Sequence, residues 1–239
     1  MNNNLIMFAN DQVLVFEHGT ASTLMGAKES NEDSVTVRIE ERLKRICVAD
    51  GHWGVDAAHQ SALFWSKLAS FPTDRESALS ATRDLENTFL AAFGRDDMNE
   101  DEDFTPESAF IAVDLINSNM RFVSYGDCRL LVVRNKKIII RNQPEQTWIG
   151  AFSSLGLRNR LPIDKVLEFK HHELNSGDII LIFSDGVDEC VYGVATLTDE
   201  FLEQATTSGD LLAIHKTIID AVVRHGAEDN ASLVVLRIA

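Results

Sequence analysis

SAFIAVDLI (108–116), MRFVSY (120–125), RLLVVR (129–134) and KIIIR (137–141) are four extended runs in direct succession. No segment long enough for a helix separates them, so this stretch is not the βαβα alternation of a parallel sheet. Outward from it, VLVFEHG (13–19), SVTVRI (34–39) and RICVA (45–49) read as strands upstream. KVLEFKHH (165–172), DIILIF (178–183) and SLVVLRI (232–238) do so downstream. Some alternate and others are continuously apolar, as in sheets buried on one or both faces. Helices are expected over 55–69, stopping before Phe71-Pro72, and from a capping box of Thr73 and Glu76 to Gly94. A shorter helix is expected near 199–207. A last one, Asp210–His225, places Leu211, Ile214, Ile218, Ala221 and Val222 on one stripe. The order predicts an α+β fold: a four-layer αββα sandwich of two antiparallel sheets flanked by antiparallel helix pairs. With 239 residues and no visible linker, one domain over 1–239 is expected.

The net charge of -15 repels polyanions and argues against a nucleic-acid partner. Cys47, Cys128 and Cys190 are odd in number and far apart, which suggests a reducing, cytoplasmic setting rather than a disulfide framework. The start MNNNLIMFANDQ lacks a basic n-region, and no window approaches the roughly 20 apolar residues of a membrane span. The acidic stretch Asp96–Asp103 breaks the calcium-loop pattern, with Glu102 and Ser108 where Gly and Glu belong, and reads as a solvated loop. The pair His171-His172 reads as strand surface.

Four segments share one property: each puts a carboxylate beside a turn at a strand end. Glu32 precedes SVTVRI, Asp50 ends RICVAD, Asp185 ends IILIFSD and Asp229 precedes the final strand. Any one alone is an ordinary turn. If the ends converge, the acids would repel one another unless cations neutralise them, and all-oxygen ligands select Mg2+ or Mn2+. Two such ions are a known device for phosphoryl hydrolysis.

Taken together, KESNEDS, VADGHWG, SYGDCRL, FSDGVDE and EDNASLVV, in that order, resemble the signature blocks of the type 2C, metal-dependent serine/threonine protein phosphatase family. The resemblance implies that Glu32 and the Gly51 carbonyl hold one metal, that Asp185 and Asp229 hold the other, and that Asp50 bridges them. It implies that Asp33 and Asn230 support these ligands from behind, and makes His52 the general acid for the leaving alkoxide. Asp127 and Glu189 match a third, weaker metal site of bacterial relatives; Asp188 is an acid easily confused with Glu189.

The chain departs from that pattern twice. Lys28 stands where the family has a phosphate-gripping Arg, and it supplies charge without the planar fork. Only Asn142–Ser154 separates KIIIR from Leu155-Gly156, a stump where relatives carry a flap. The implied activity is hydrolysis of phosphoserine and phosphothreonine on a protein partner, in signalling with a cognate kinase. A pseudophosphatase that only binds phosphoprotein, or a hydrolase of a small phosphate ester, are the alternatives.

Overall fold

A computed structural model of the protein describes residues 4–8, 12–41, 43–94, 105–150, 162–191 and 193–239. One sheet has the order β1 (Asn4–Phe8), β4 (Ser34–Ile39), β5 (Leu43–His52), β6 (Glu107–Ile116), β7 (Asn119–Tyr125) and β11 (Glu168–Glu173), with β10 (Ile149–Gly150) paired to β6. The other runs β2 (Leu14–Phe16), β3 (Gly19–Leu24), β13 (Ala231–Arg237), β12 (Ile179–Phe183), β8 (Arg129–Arg134) and β9 (Lys137–Arg141). Every pairing is antiparallel; short connections demand this only for the hairpins β2–β3, β4–β5, β6–β7 and β8–β9.

The two-residue period of the strands divides the core into layers. On β5, Ile46 and Val48 face the second sheet and join Ile111, Phe122, Leu130, Ile180 and Val234 in the central core. Their neighbours Cys47 and Ala49 face the other way. They pack with Trp65, Leu85, Phe89 and Phe110 beneath α1 (Val55–Lys67) and α2 (Arg75–Phe93). On the opposite side, Leu181, Leu233 and Val235 lie beneath α4 (Asp199–Ala205) and α5 (Leu211–Arg224). The four layers expected from the sequence are present. Burying each large apolar side chain contributes about 1.5–3 kcal/mol, and these layers are where that gain accumulates.

Several boundaries move. VLVFEHG is not one strand: β2 ends at Phe16, His18 takes φ 61° in a tight turn, and β3 continues through Leu24. The first helix ends at Lys67. The second is capped by Asp74, whose carboxylate accepts from the Ser77 amide at 2.8 Å, one residue later than the Thr73–Glu76 reading. Adjacent residues competed for that cap, and Asp74 with Ser77 satisfies both backbone donors. Residues 165–166 belong to a single helical turn, α3 (Ile163–Val166), ahead of β11. The helix near 199–207 divides into α4 and a 3-10 turn, Thr206–Ser208. The acidic stretch Asp96–Asp103, with the calcium-loop question it raised, and Leu155-Gly156 lie outside the described residues. Among the described residues no helix is long and apolar enough to cross a membrane.

Candidate metal centre

Asp50 lies on the same face of β5 as Ile46 and Val48, so at the strand's end it projects between the two sheets. The chain leaves β12 from the other sheet at the same place, where Asp185 opens a 3-10 turn, Asp185–Val187. The two carboxyls face each other closely enough to shift each other's pKa. Around them a cavity of about 360 Å³ is lined by Lys28, Glu32, Gly51, His52, Asp127, Glu189 and Asp229 as well as Asp50 and Asp185. The segments singled out in the sequence thus meet at one cleft.

The loops are fixed to one another by buried polar contacts. The Glu32 amide donates to Asn230 Oδ1 at 2.8 Å, while Asn230 Nδ2 donates to the carbonyls of Met25 at 2.7 Å and Ser30 at 3.1 Å. Asp33 accepts from Ser184 Oγ at 2.7 Å, and that hydroxyl accepts from the Ser232 amide at 2.9 Å. Asn230 and Asp33 therefore tie the loop before β4 to β12 and β13. A Cβ at residue 51 would stand 2.3 Å from the Glu32 carbonyl oxygen, so glycine permits the approach of Glu32 to the end of β5.

The electrostatics are those of anions without enough partners. Burial, then the fields of Asp185, Asp33 and Asp127, push the Asp50 carboxyl well above its usual range. Burial and Asp185 do the same to Asp127. Asp33 is raised to about 7, by burial first and then by Asp185 and Asp229 against its serine hydrogen bonds. Asp33 Oδ1 and Asp127 Oδ1 are buried with no hydrogen-bond partner. Without cations, protons must relieve this repulsion; a hard cation would do so better. Among the described residues, no three acidic, imidazole or thiol groups form a ready-made metal cluster. The donor set nonetheless fits Mg2+ or Mn2+, which keep several waters and need few protein oxygens each.

Lys28 does not project free into the cavity. Its ammonium lies 3.0 Å from Asp229 Oδ1. Burial opposes its charge, but the bond to Asp229 and the fields of Glu32 and Asp50 outweigh that and raise its pKa. Glu189 faces Arg129 Nη2 at 3.7 Å, and Asp188 meets Arg129 Nε at 2.9 Å. Asp188 does not line the cleft, Glu189 does. Trp53, Gln146, Trp148 and Gly193 also line it. Sequence reading passed over Trp148; a lone tryptophan in the otherwise polar segment QPEQTW was the available signal.

The sequence model of the stage II sporulation protein E (SpoIIE) family matches residues 45–239. No curated protein sequence matches the chain. Among solved structures, a bacterial serine phosphatase superimposes with a TM-score of 0.69 at 13% identity, covering 94% of this chain and 98% of that one. The Mycobacterium tuberculosis serine/threonine phosphatase PstP/Ppp gives 0.65 at 18% identity, over 92% and 97% of the two chains. The PstP catalytic domain in complex with two manganese ions gives 0.66 at 19%, over 98% and 99%. At such identities the likeness concerns the fold.

Proposed function

The chain belongs to the stage II sporulation protein E family, and from that premise we propose that it is a metal-dependent phosphatase of phosphoserine and phosphothreonine in proteins. The observation that carries the reading is the convergence of Glu32, Asp50, Asp185 and Asp229 on one cleft with His52 at its wall. Glu32, the Gly51 carbonyl and Asp50 would hold one divalent cation; Asp50, Asp185 and Asp229 would hold a second. Bound there, the cations supply an activated water and draw charge from the phosphate oxygens. Asp127 and Glu189 are the donors left for a third.

The remaining work falls to the chain's own side chains. His52 donates a proton to the departing serine or threonine oxygen, a contribution of roughly 10²–10⁴-fold. Asn230 and Asp33 keep the acidic loops in register, as the hydrogen bonds above describe. Lys28 leaves Asp229 for a phosphate oxygen as the acids become neutralised. The protein acts as one catalytic domain over 1–239, in the cytoplasm, with a kinase-phosphorylated protein as its partner. The three buried free thiols agree with a reducing compartment. Hydrolysis of p-nitrophenyl phosphate and of phosphoserine peptides is expected with Mn2+ or Mg2+ and not after EDTA. Full activity of metal-free protein would overturn the reading.

A further inference from the structure

We propose that Glu107 is a positioning residue that sets which nitrogen of His52 faces the substrate. The inference rests on the phosphatase reading above, in which His52 protonates the leaving group. His52 and Glu107 are direct register partners where β5 and β6 reach the cleft. His52 Nδ1 is buried without a hydrogen-bond partner and lies 3.8 Å from Glu107 Oε2. Glu107 is only 1% exposed, so its carboxylate meets the imidazole away from bulk water.

Two indoles border the imidazole. Trp148 stacks on it at 4.8 Å and 21°, and Trp53 lies tilted at 4.6 Å and 44°. Such walls stop the ring from tipping. They are indifferent to a half-turn about its long axis, which would exchange the inward and outward edges. An acceptor at one edge breaks that indifference: with Nδ1–H turned toward Glu107, Nε2 is left for the cleft. The present 3.8 Å exceeds a hydrogen bond, but such contacts often tighten only when substrate is bound. Space for the carboxylate is built in. Gly150 pairs with Glu107 across β10 and β6, and a Cβ there would stand 2.8 Å from Glu107 Cγ.

Glu107→Met keeps an apolar-compatible volume and removes the acceptor; Glu107→Gln keeps an acceptor oxygen. With Mn2+, Glu107→Met is expected to lose roughly 10–10³-fold in kcat on a phosphoserine peptide, a part of the roughly 10²–10⁴-fold that general acid catalysis supplies. KM should barely move, and p-nitrophenyl phosphate, whose leaving group hardly needs a proton, should be hydrolysed almost as before. Glu107→Gln should recover part of the loss. His52→Ala combined with Glu107→Met should be no worse than His52→Ala alone. Gly150→Ala, which displaces Glu107 without deleting it, should reproduce the same substrate split and stands in if Glu107→Met fails to fold. Equal losses on both substrates, additive losses in the double variant or unchanged kinetics would overturn the inference while leaving the phosphatase reading intact. A wild-type protein inactive on both substrates would overturn both.

Discussion

Strand β5 carries an ionic group near each end, and the two ends treat buried charge in opposite ways. Near its start, Arg45 sits in a cross-strand row with Asp114 and Arg121 on β6 and β7. Arg45 Nε donates to Asp114 Oδ1 at 2.9 Å, and Arg121 Nη2 to Asp114 Oδ2 at 2.5 Å. Both guanidinium groups lie over Phe71, at 5.5 and 5.8 Å. Every charge there has its partner inside the chain. Five residues on, about 17 Å along the strand at ~3.3 Å per residue, Asp50 faces other acids, Asp185, Asp33 and Asp127, whose fields raise its pKa. A buried carboxylate is stable if the chain supplies its counter-charge; where the chain withholds it, the counter-charge must come from outside. That contrast separates a structural acid from a site.

The largest effects should divide along the same line. Asp50→Asn is expected to abolish turnover, because the proposed bridging anion is lost, while the metal-free protein melts no lower than wild type. Asp114→Asn should do the reverse. Leaving a guanidinium buried without its anion costs about 3–5 kcal/mol, or very roughly 6–20 °C in melting temperature for a chain of this size. Kinetics and thermal melts of the two variants check this. Asp50→Asn retaining over a tenth of wild-type kcat would break the comparison.

Metal binding should carry a pH signature whose sign follows from the raised acids. Asp50 and Asp127 are raised well above the usual carboxylate range and Asp33 behind them to about 7, all chiefly through burial, against about 3.8 when unfolded. Between those values the folded protein holds more protons, so these groups lose stabilising effect as pH rises. Cations take the place of the protons. The gain in melting temperature on adding Mn2+ should therefore be larger at pH 8 than at pH 5. At a hundredfold excess over Kd it is worth about 2.7 kcal/mol, or roughly 5–10 °C. A gain that is equal at both pH values, or greater at pH 5, would remove the link between these acids and the metal.

How far the sequence could be read depends on the range of the interactions. Helix stripes and strand runs are local, and so are the turn carboxylates; these were legible, and their order in five blocks pointed to the fold. The convergence of Asp50 with Asp185 is set by sheet packing, yet the block resemblance anticipated it. Glu107 was not legible, because its meaning lies in register with His52 across a strand pair and in the room left by Gly150. The Arg45–Asp114–Arg121 row escaped for the same reason. Thr73 against Asp74 shows the opposite limit: two good capping residues in a row leave the choice to packing.

The smallest expected effect concerns Lys28, which brings the chain's own cation into the acid-lined end. Sequence alone suggested a residue waiting for phosphate, but its ammonium is held by Asp229, a proposed metal ligand. Both uses are compatible only in sequence: a cation that takes Asp229 releases Lys28, and the released ammonium meets the substrate's phosphate. Lys28→Ala should then act in two directions. Metal affinity should rise slightly, since a competing cation is gone, and KM should rise because a phosphate contact is lost. A part-exposed pair of this kind is worth about 0.2–1 kcal/mol, so each change should be a few-fold at most. Lys28→Arg should lower KM, since the fork makes two charge-assisted contacts where an ammonium makes one. Calorimetric Mn2+ titration beside steady-state kinetics separates the two effects. Tighter metal binding with unchanged kcat/KM would leave Lys28 as a stand-in for metal alone, with no part in holding phosphate.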